Sequence, residues 1–355
     1  MAWKPLADAL EREGVVSKVL ENGFAVLDDA WPTEDVVAFR TEIKALHAAE
    51  KMEPNQVEFA TGSGPIRLTK PGIFEADMHH DQRRAACPAF ARLFSSVAEI
   101  QHPFTQGFDL ALEPATAATP VSPTSGCKDA GTEGTQLQDG VAGLSVQDEA
   151  EQQGAARREQ VMPAHKPFST FTLKLQYNSG DGGCFPYHYD NPAPPNKRIL
   201  TVLVYLNPDW EQGDGGEVML LPFLGKPEII PPKFNRTVIF RSDTVLHRVL
   251  PSHKPRCCFT LWLDGANPNT DDKVYLREKH LTPSFIPTLL TSPLQRTLSR
   301  AVYEEEYEKS LRECFGASDR DVKYAVALHR AHLKQTLANP KLSAFVHQLK
   351  LQRKW

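Results

Sequence analysis

No apolar run in this 355-residue chain approaches the roughly 20 residues needed to cross a bilayer, and the opening Met-Ala-Trp-Lys-Pro lacks the apolar stretch of a secretory signal. No membrane partner is expected, and the expected location is cytoplasmic or nuclear. Cysteines are sparse. The six, at 87, 127, 184, 257, 258 and 314, form neither a CxxC pair nor a disulfide-dense pattern, which fits a reducing compartment. Strong charge of one sign is also missing: a formal net charge of -4 gives no overall cationic field, and no basic stretch interleaved with aromatics lies near the candidate site. Both absences argue against nucleic acid as partner.

From Asp109 through Pro167 there is no aromatic residue and no isoleucine. Such a segment buries too little apolar surface to offset its ordering entropy, so 109–167 is expected to be a disordered insertion. Residues 1–108 hold too few strand signals to close a core alone. The insertion therefore divides one fold into an N-terminal support (1–108) and a core (168–265), followed by a helical extension (266–355).

The hydrophobic share, 41%, is ordinary for a globular chain. Leu6, Leu10, Val15, Val16, Val19 and Leu20 recur at helical spacing. Gly23 then breaks the pattern before the strand-like Phe24-Ala25-Val26-Leu27, and Val36, Phe39, Ile43, Leu46 and His47 share a second helix face. This N-terminal set reads as a layer covering a sheet. Strand signals crowd into 171–177, 199–206, 216–222, 236–241, 244–250 and 256–263, separated by Gly, Pro and Asp turns. Short strands with few helices between them predict a mainly β fold with flanking helices, an antiparallel sandwich or barrel of the jelly-roll type. Near the C-terminus Ser292-Pro293 reads as a helix start running to Gly316. Ser318 opens another helix that ends near Asn339-Pro340, and a short third segment follows.

His188 and Asp190 are two residues apart, so on an extended strand they point to one side and can share a metal ion. His247 lies in a second predicted strand. Two imidazoles and one carboxylate on one face of a metal leave the opposite positions open, the arrangement of non-haem Fe(II) oxygenases. Arg256 begins the next strand, and alternation puts Arg256, Cys258, Thr260 and Trp262 on one face of it. A buried guanidinium needs an anion and fits a carboxylate through two parallel hydrogen bonds. A dicarboxylic keto acid would span metal and arginine; a structural Arg–Asp or Arg–Glu pair is the plainer alternative. Tyr205, within the apolar strand, needs a partner for its hydroxyl, which a cosubstrate carboxylate or a backbone carbonyl would supply. Tyr177 shares a strand face with Leu173 and Leu175 and is either core or pocket mouth. Another HxD, in His79-His80-Asp81, reads as a solvated face.

The segments Gln176-Tyr177, His188-Tyr-Asp190-Asn-Pro192, Val204-Tyr205-Leu-Asn-Pro-Asp-Trp210, Gly215-Gly216-Glu217, Pro232-Lys-Phe234 and Arg256-Cys-Cys-Phe-Thr-Leu-Trp262 resemble, in that order, the 2-oxoglutarate-dependent prolyl hydroxylases, most nearly the hypoxia-inducible-factor type. Arginine at 256 resembles that branch, whereas the collagen type has lysine there. The resemblance implies a double-stranded β-helix with His188, Asp190 and His247 as iron ligands. Arg256 would hold the distal carboxylate of 2-oxoglutarate with help from Tyr205, and Tyr177 would sit near the iron-bound end; Thr260 and Trp262 join this cosubstrate site on the alternation argument. It further implies Fe(II), 2-oxoglutarate, O2 and ascorbate as cofactors and cosubstrates, release of succinate and CO2, and a protein substrate with an exposed proline-containing segment. The region Lys51–Pro71 occupies the position of the family's mobile substrate loop. Departures are the approach to His188, one residue longer, the insertion and the helical tail. The same oxygenase chemistry on another residue, a nucleic acid or a small molecule, or a noncatalytic module keeping the fold, are the alternatives.

Overall fold

The computed structural model describes residues 2–59, 66–113, 170–191, 196–266, 276–316 and 318–354. At the N-terminus Gly14, in the left-handed region at φ +60°, separates α1 (Lys4–Arg12) from α2 (Val15–Asn22), and Gly23 ends α2 before β1 (Phe24–Asp28). The long α3 (Thr33–Ala48) follows. Next come β2 (Glu53–Phe59), β3 (Ile66–Asp77) and the short α4 (Asp81–Ala85), α5 (Pro88–Ser95) and α6 (Ala98–Phe104). The region read as a mobile loop, 51–71, is for its described part a strand pair: β2 and β3 run antiparallel from Glu53↔Glu75 to Phe59↔Ile66. Pro71 and Gly72 lie inside β3, where Gly72 takes φ +69°. Tertiary pairing overrides the weak local strand signal.

The core contributes β4 (Phe171–Asn178), β5 (Phe185–His188), β6 (Arg198–Tyr205), β7 (Val218–Pro222), β8 (Glu228–Ile230), β9 (Arg236–Arg241), β10 (Val245–Val249) and β11 (Arg256–Asp264). They form two antiparallel sheets, in the order β1-β9-β6-β11-β4-β3-β2 and β5-β10-β7-β8. This is the mostly antiparallel jelly-roll with flanking helices that the strand spacing predicts. Three N-terminal strands extend the large sheet, so the first hundred residues do more than cover it.

Alternation sorts the large sheet's two faces. Leu173, Leu175, Val202, Val204, Phe259 and Leu261 pack outward against the N-terminal helices. Phe259 sits at the centre, with the rings of Trp3, Trp31, Phe39 and Phe90 at 6.3, 6.3, 5.4 and 5.2 Å, mostly edge-on. The opposite face, with Leu203, Tyr205, Val238, Phe240 and Cys258, meets Val218, Leu220 and Val245 of the small sheet.

The small sheet's outer face is covered by α7 (Ile286–Thr291), α8 (Arg296–Val302), α9 (Glu304–Phe315), α10 (Asp319–Thr336) and α11 (Pro340–Leu351). The helix expected from Ser292 to Gly316 is broken at Tyr303, whose buried hydroxyl accepts a hydrogen bond from Leu224 N at 2.7 Å. Ser318 caps α10 as its sequence position predicts, and Asn339, expected near the end of that helix, instead caps α11. Residues 109–113, assigned to the insertion, are instead ordered. Leu110 bridges Gly265, and Glu113 N donates to Gln101 Oε1. The remainder of that predicted disorder, 114–167, lies outside the described residues.

Candidate metal centre between the two sheets

β5 and β10 pair with His188 directly opposite His247, and the ring centroids are 4.2 Å apart. Asp190, two residues beyond His188, brings Oδ1 to 3.6 Å from His188 Nε2 and Oδ2 to 3.7 Å from His247 Nε2. Among the described residues this is the one group of three His, Cys, Asp or Glu side chains able to converge on a metal, with ligand atoms within 4.8 Å of one another. All three are buried. His188 Nδ1 lies 2.9 Å from Pro186 O and His247 Nδ1 3.3 Å from Val245 O, so each ring turns its Nε2 inward. Burial, with His247 alongside, pushes His188 down to about 3, leaving its imidazole neutral and available as a ligand. Burial alone would raise Asp190; His247 and His188 outweigh it and hold the carboxyl below its ordinary range.

Thr201 and Ser242 escaped sequence reasoning. Thr201 Oγ1 donates to Asp190 Oδ2 at 2.7 Å and bonds Ser242 Oγ at 2.8 Å, which fixes the carboxylate's orientation. A threonine amid an apolar strand was the only available signal.

On the large sheet Arg256, Cys258, Thr260 and Trp262 do share the inward face, and all four are buried. The Arg256 guanidinium lies 4.9 Å from the Tyr205 ring centre and donates to Cys258 Sγ at 3.3 Å. No carboxylate pairs with it among the described residues, so the structural ion pair is ruled out there. Among the described residues Arg256 Nε is buried without a hydrogen-bond partner, and Tyr205 Oη has none of good geometry beyond the Arg256 guanidinium that lies beside it. Burial pushes the Tyr205 phenol up to about 12, so it stays a neutral donor. A Cβ on Gly216, which has φ +76°, would come within 2.8 Å of Arg256 Cδ; glycine lets the loop press on the arginine stem. Trp262 lies near enough to Asp190 to help hold its carboxyl down, though its Nε1 makes no hydrogen bond of good geometry among the described residues, and Arg198 stacks 4.2 Å over its ring.

Tyr177 is a correction. It lies on the outward face with Leu173 and Leu175, and its ring stacks on His47 of α3 at 3.9 Å. The inward positions on β4 are Lys174 and Gln176, opposite Thr260 and Cys258. Alternation along β4 already set Tyr177 with Leu173 and Leu175, and its pairing with Cys257 keeps it on that outward face; only the resemblance pointed it toward the iron. The inward wall is polar there. Lys174 Nζ contacts Glu75 Oε1 at 3.1 Å, Asn55 donates to Glu75 Oε2 at 2.5 Å, and Asn55 Oδ1 accepts from Lys70, which burial lowers to about 8. His79-His80-Asp81 is separate from the triad: His79 Nε2 lies 3.1 Å from Phe171 O, and Asp81 pairs with Arg84.

Two histidines and a carboxylate inside a jelly-roll define the non-haem iron oxygenase class. Comparison with known proteins agrees. Residues 173–264 match the 2OG-Fe(II) oxygenase superfamily model. A solved structure of prolyl 4-hydroxylases from Phytophthora capsici is 32% identical with a TM-score of 0.70, covering 99% of this chain and 95% of that one. Egl nine homolog 1 of Rattus norvegicus is 33% identical over 106 residues, 29% of this chain and 30% of the relative. The Homo sapiens protein of that name is likewise 33% identical, over 29% of this chain and 24% of its own length. The match thus spans less than a third of these curated relatives. The chain belongs to the 2OG-Fe(II) oxygenases, as a prolyl hydroxylase-like member, a family defined by Fe(II), 2-oxoglutarate and O2. No described helix is long and apolar enough to cross a membrane.

Proposed function

We propose that this chain hydroxylates a prolyl residue in an exposed, extended segment of a cytoplasmic or nuclear protein, with ascorbate sustaining turnover. The observation carrying the reading is a buried arginine that has no carboxylate partner among the described residues and lies against a buried tyrosine hydroxyl, on the inward face of the large sheet. Buried polar groups require partners, and a carboxylate would satisfy both at once. His188, Asp190 and His247 fit Fe(II) in donor type, convergence and neutrality of the His188 imidazole. When bound, iron supplies the activation of O2, with 2-oxoglutarate consumed to succinate and CO2.

The chain's own residues orient and enclose. Arg256 and Tyr205 hold the distal carboxylate of 2-oxoglutarate. Thr201 holds Asp190, and the two Nδ1 to carbonyl contacts hold the imidazoles. Leu203, Val218, Leu220, Val238, Phe240 and Val245 close one end of the site against water. Trp262 and Thr260 lie buried on the same inward face as Arg256. The prolyl substrate is supported by the Phytophthora capsici prolyl 4-hydroxylases, which match along nearly the whole chain. Incubation with Fe(II), 2-oxoglutarate, ascorbate and a proteome-derived peptide library, followed by mass spectrometry, tests it. Proline residues gaining one oxygen are expected; modification confined to lysine, asparagine, nucleobases or free metabolites would reject the prolyl assignment.

A further inference from the structure

The strand carrying His188 is poorly secured by its own sheet. Among the described residues β5 has four residues, lies at the sheet edge, pairs only with β10, and loses register between His247 and Val249. An edge strand leaves one row of backbone groups without a neighbour. Metal ligands need their positions held by surrounding bonds.

The C-terminal helices occupy that edge. Alternation sends His188 inward and Tyr187 and Tyr189 outward, into the apolar cluster shared with α7, α8, α9 and α11. Tyr187 N donates to Ser310 Oγ of α9 at 3.2 Å, where a neighbouring strand would otherwise accept. The Tyr189 hydroxyl bonds Ser299 Oγ of α8 at 2.6 Å. Arg296, the first residue of α8, donates from Nη1 to both O and Oδ1 of Asn191 at 2.8 Å each. Arg248, next to His247, pairs with Glu313 of α9. A neighbour of each of the three candidate ligands is therefore tied to α8 or α9.

We propose that α8 and α9 form the outer shell of the metal centre, with Ser310, Arg296 and Glu313 as positioning residues that set its affinity for a divalent cation. This rests on the triad being the metal site, and its test separates the two. Mn(II) is titrated into the full chain and the free ion followed by electron paramagnetic resonance, a readout that needs no turnover. Ser310→Val and Ser310→Thr share a shape and differ in the accepting oxygen. Valine is expected to weaken Mn(II) binding about tenfold, the lower end for lost outer bonds to metal ligands, and threonine to retain it. Arg296→Met is expected to weaken it similarly, with the Michaelis constant for 2-oxoglutarate unchanged. If either apolar variant fails to fold, Arg296→Lys, which keeps the charge and one donor, should weaken binding by about threefold. Wild-type Mn(II) affinity in the folded Val, Met or Lys variants would overturn the proposal. A wild-type chain that binds no Mn(II) would instead overturn the triad assignment.

Discussion

Arg256 concentrates the residue-scale chemistry: a buried cation with a sulfur and an aromatic ring for company and no anion of its own. Replacing its planar fork by the point charge of lysine keeps the charge and removes the bidentate fit. Arg256→Lys is expected to raise the Michaelis constant for 2-oxoglutarate about 10- to 100-fold, the equivalent of losing a charge-assisted hydrogen bond. Tyr205→Phe should raise it less, since a neutral donor is lost. Tyr177→Phe should leave it unchanged, because that ring stacks on His47 outside the site. Steady-state succinate formation against cosubstrate concentration measures all three. The triad and Arg256 were legible because an HxD on a strand and an alternating strand have fixed geometry. The face of Tyr177 was legible too, since alternation put it with Leu173 and Leu175; the resemblance alone pointed it at the iron, and the Cys257↔Tyr177 pairing holds it on the outward side. Thr201 was invisible because its partner is the Asp190 carboxylate, just past the end of β5 and brought to β6 by the fold.

At the scale of elements, apolar runs and periodicity located β1, β4, β6, β7, β9, β10 and β11, the helices α1 to α3, and α8 to α11. The β2–β3 pair was missed: its polar faces, as at Glu53, Asn55, Glu75 and Lys70, are satisfied by long-range partners rather than by local pattern. The connection of α9 to α10 is electrostatic in part. Arg330 and Arg312 hydrogen-bond to Glu308 and hold its carboxyl down to about 2. A carboxyl depressed in the folded state stabilises fully above its ordinary value of 4.5, and that contribution fades as pH falls toward 2. Because both arginines are largely solvated, the pairing contributes little to stability. Glu308→Gln should lower the melting temperature by about 1–3 °C at pH 6 and narrow the gap to wild type at pH 3. A gap that widens in acid would contradict the pairing.

On the scale of the whole molecule, the three parts share one architecture. N-terminal helices cover the large sheet, and C-terminal helices cover the small one. Deleting 290–355 uncovers Tyr187, Tyr189, Leu221, Phe223 and Leu246, so aggregation on size-exclusion chromatography is expected. Deleting 115–160 should have the opposite outcome. The residues on either side already meet, with Thr170 Oγ1 donating to Glu113 Oε1 at 2.5 Å, so a short connection can join them. Loop closure changes by only about 1 kcal/mol, in favour of the shorter chain, and a folded, active protein is expected. Loss of the cooperative melting transition would show that the segment carries core contacts.

The most direct test of the iron and 2-oxoglutarate reading is metal-dependent 2-oxoglutarate turnover across the two HxD segments. The wild-type chain should bind one Fe(II) and release succinate. His188→Ala, Asp190→Ala and His247→Ala should each abolish release, while His79→Ala and Asp81→Ala, lying outside the triad, should retain it. Equal loss in both sets, or turnover surviving in any of the three triad variants, would contradict the account.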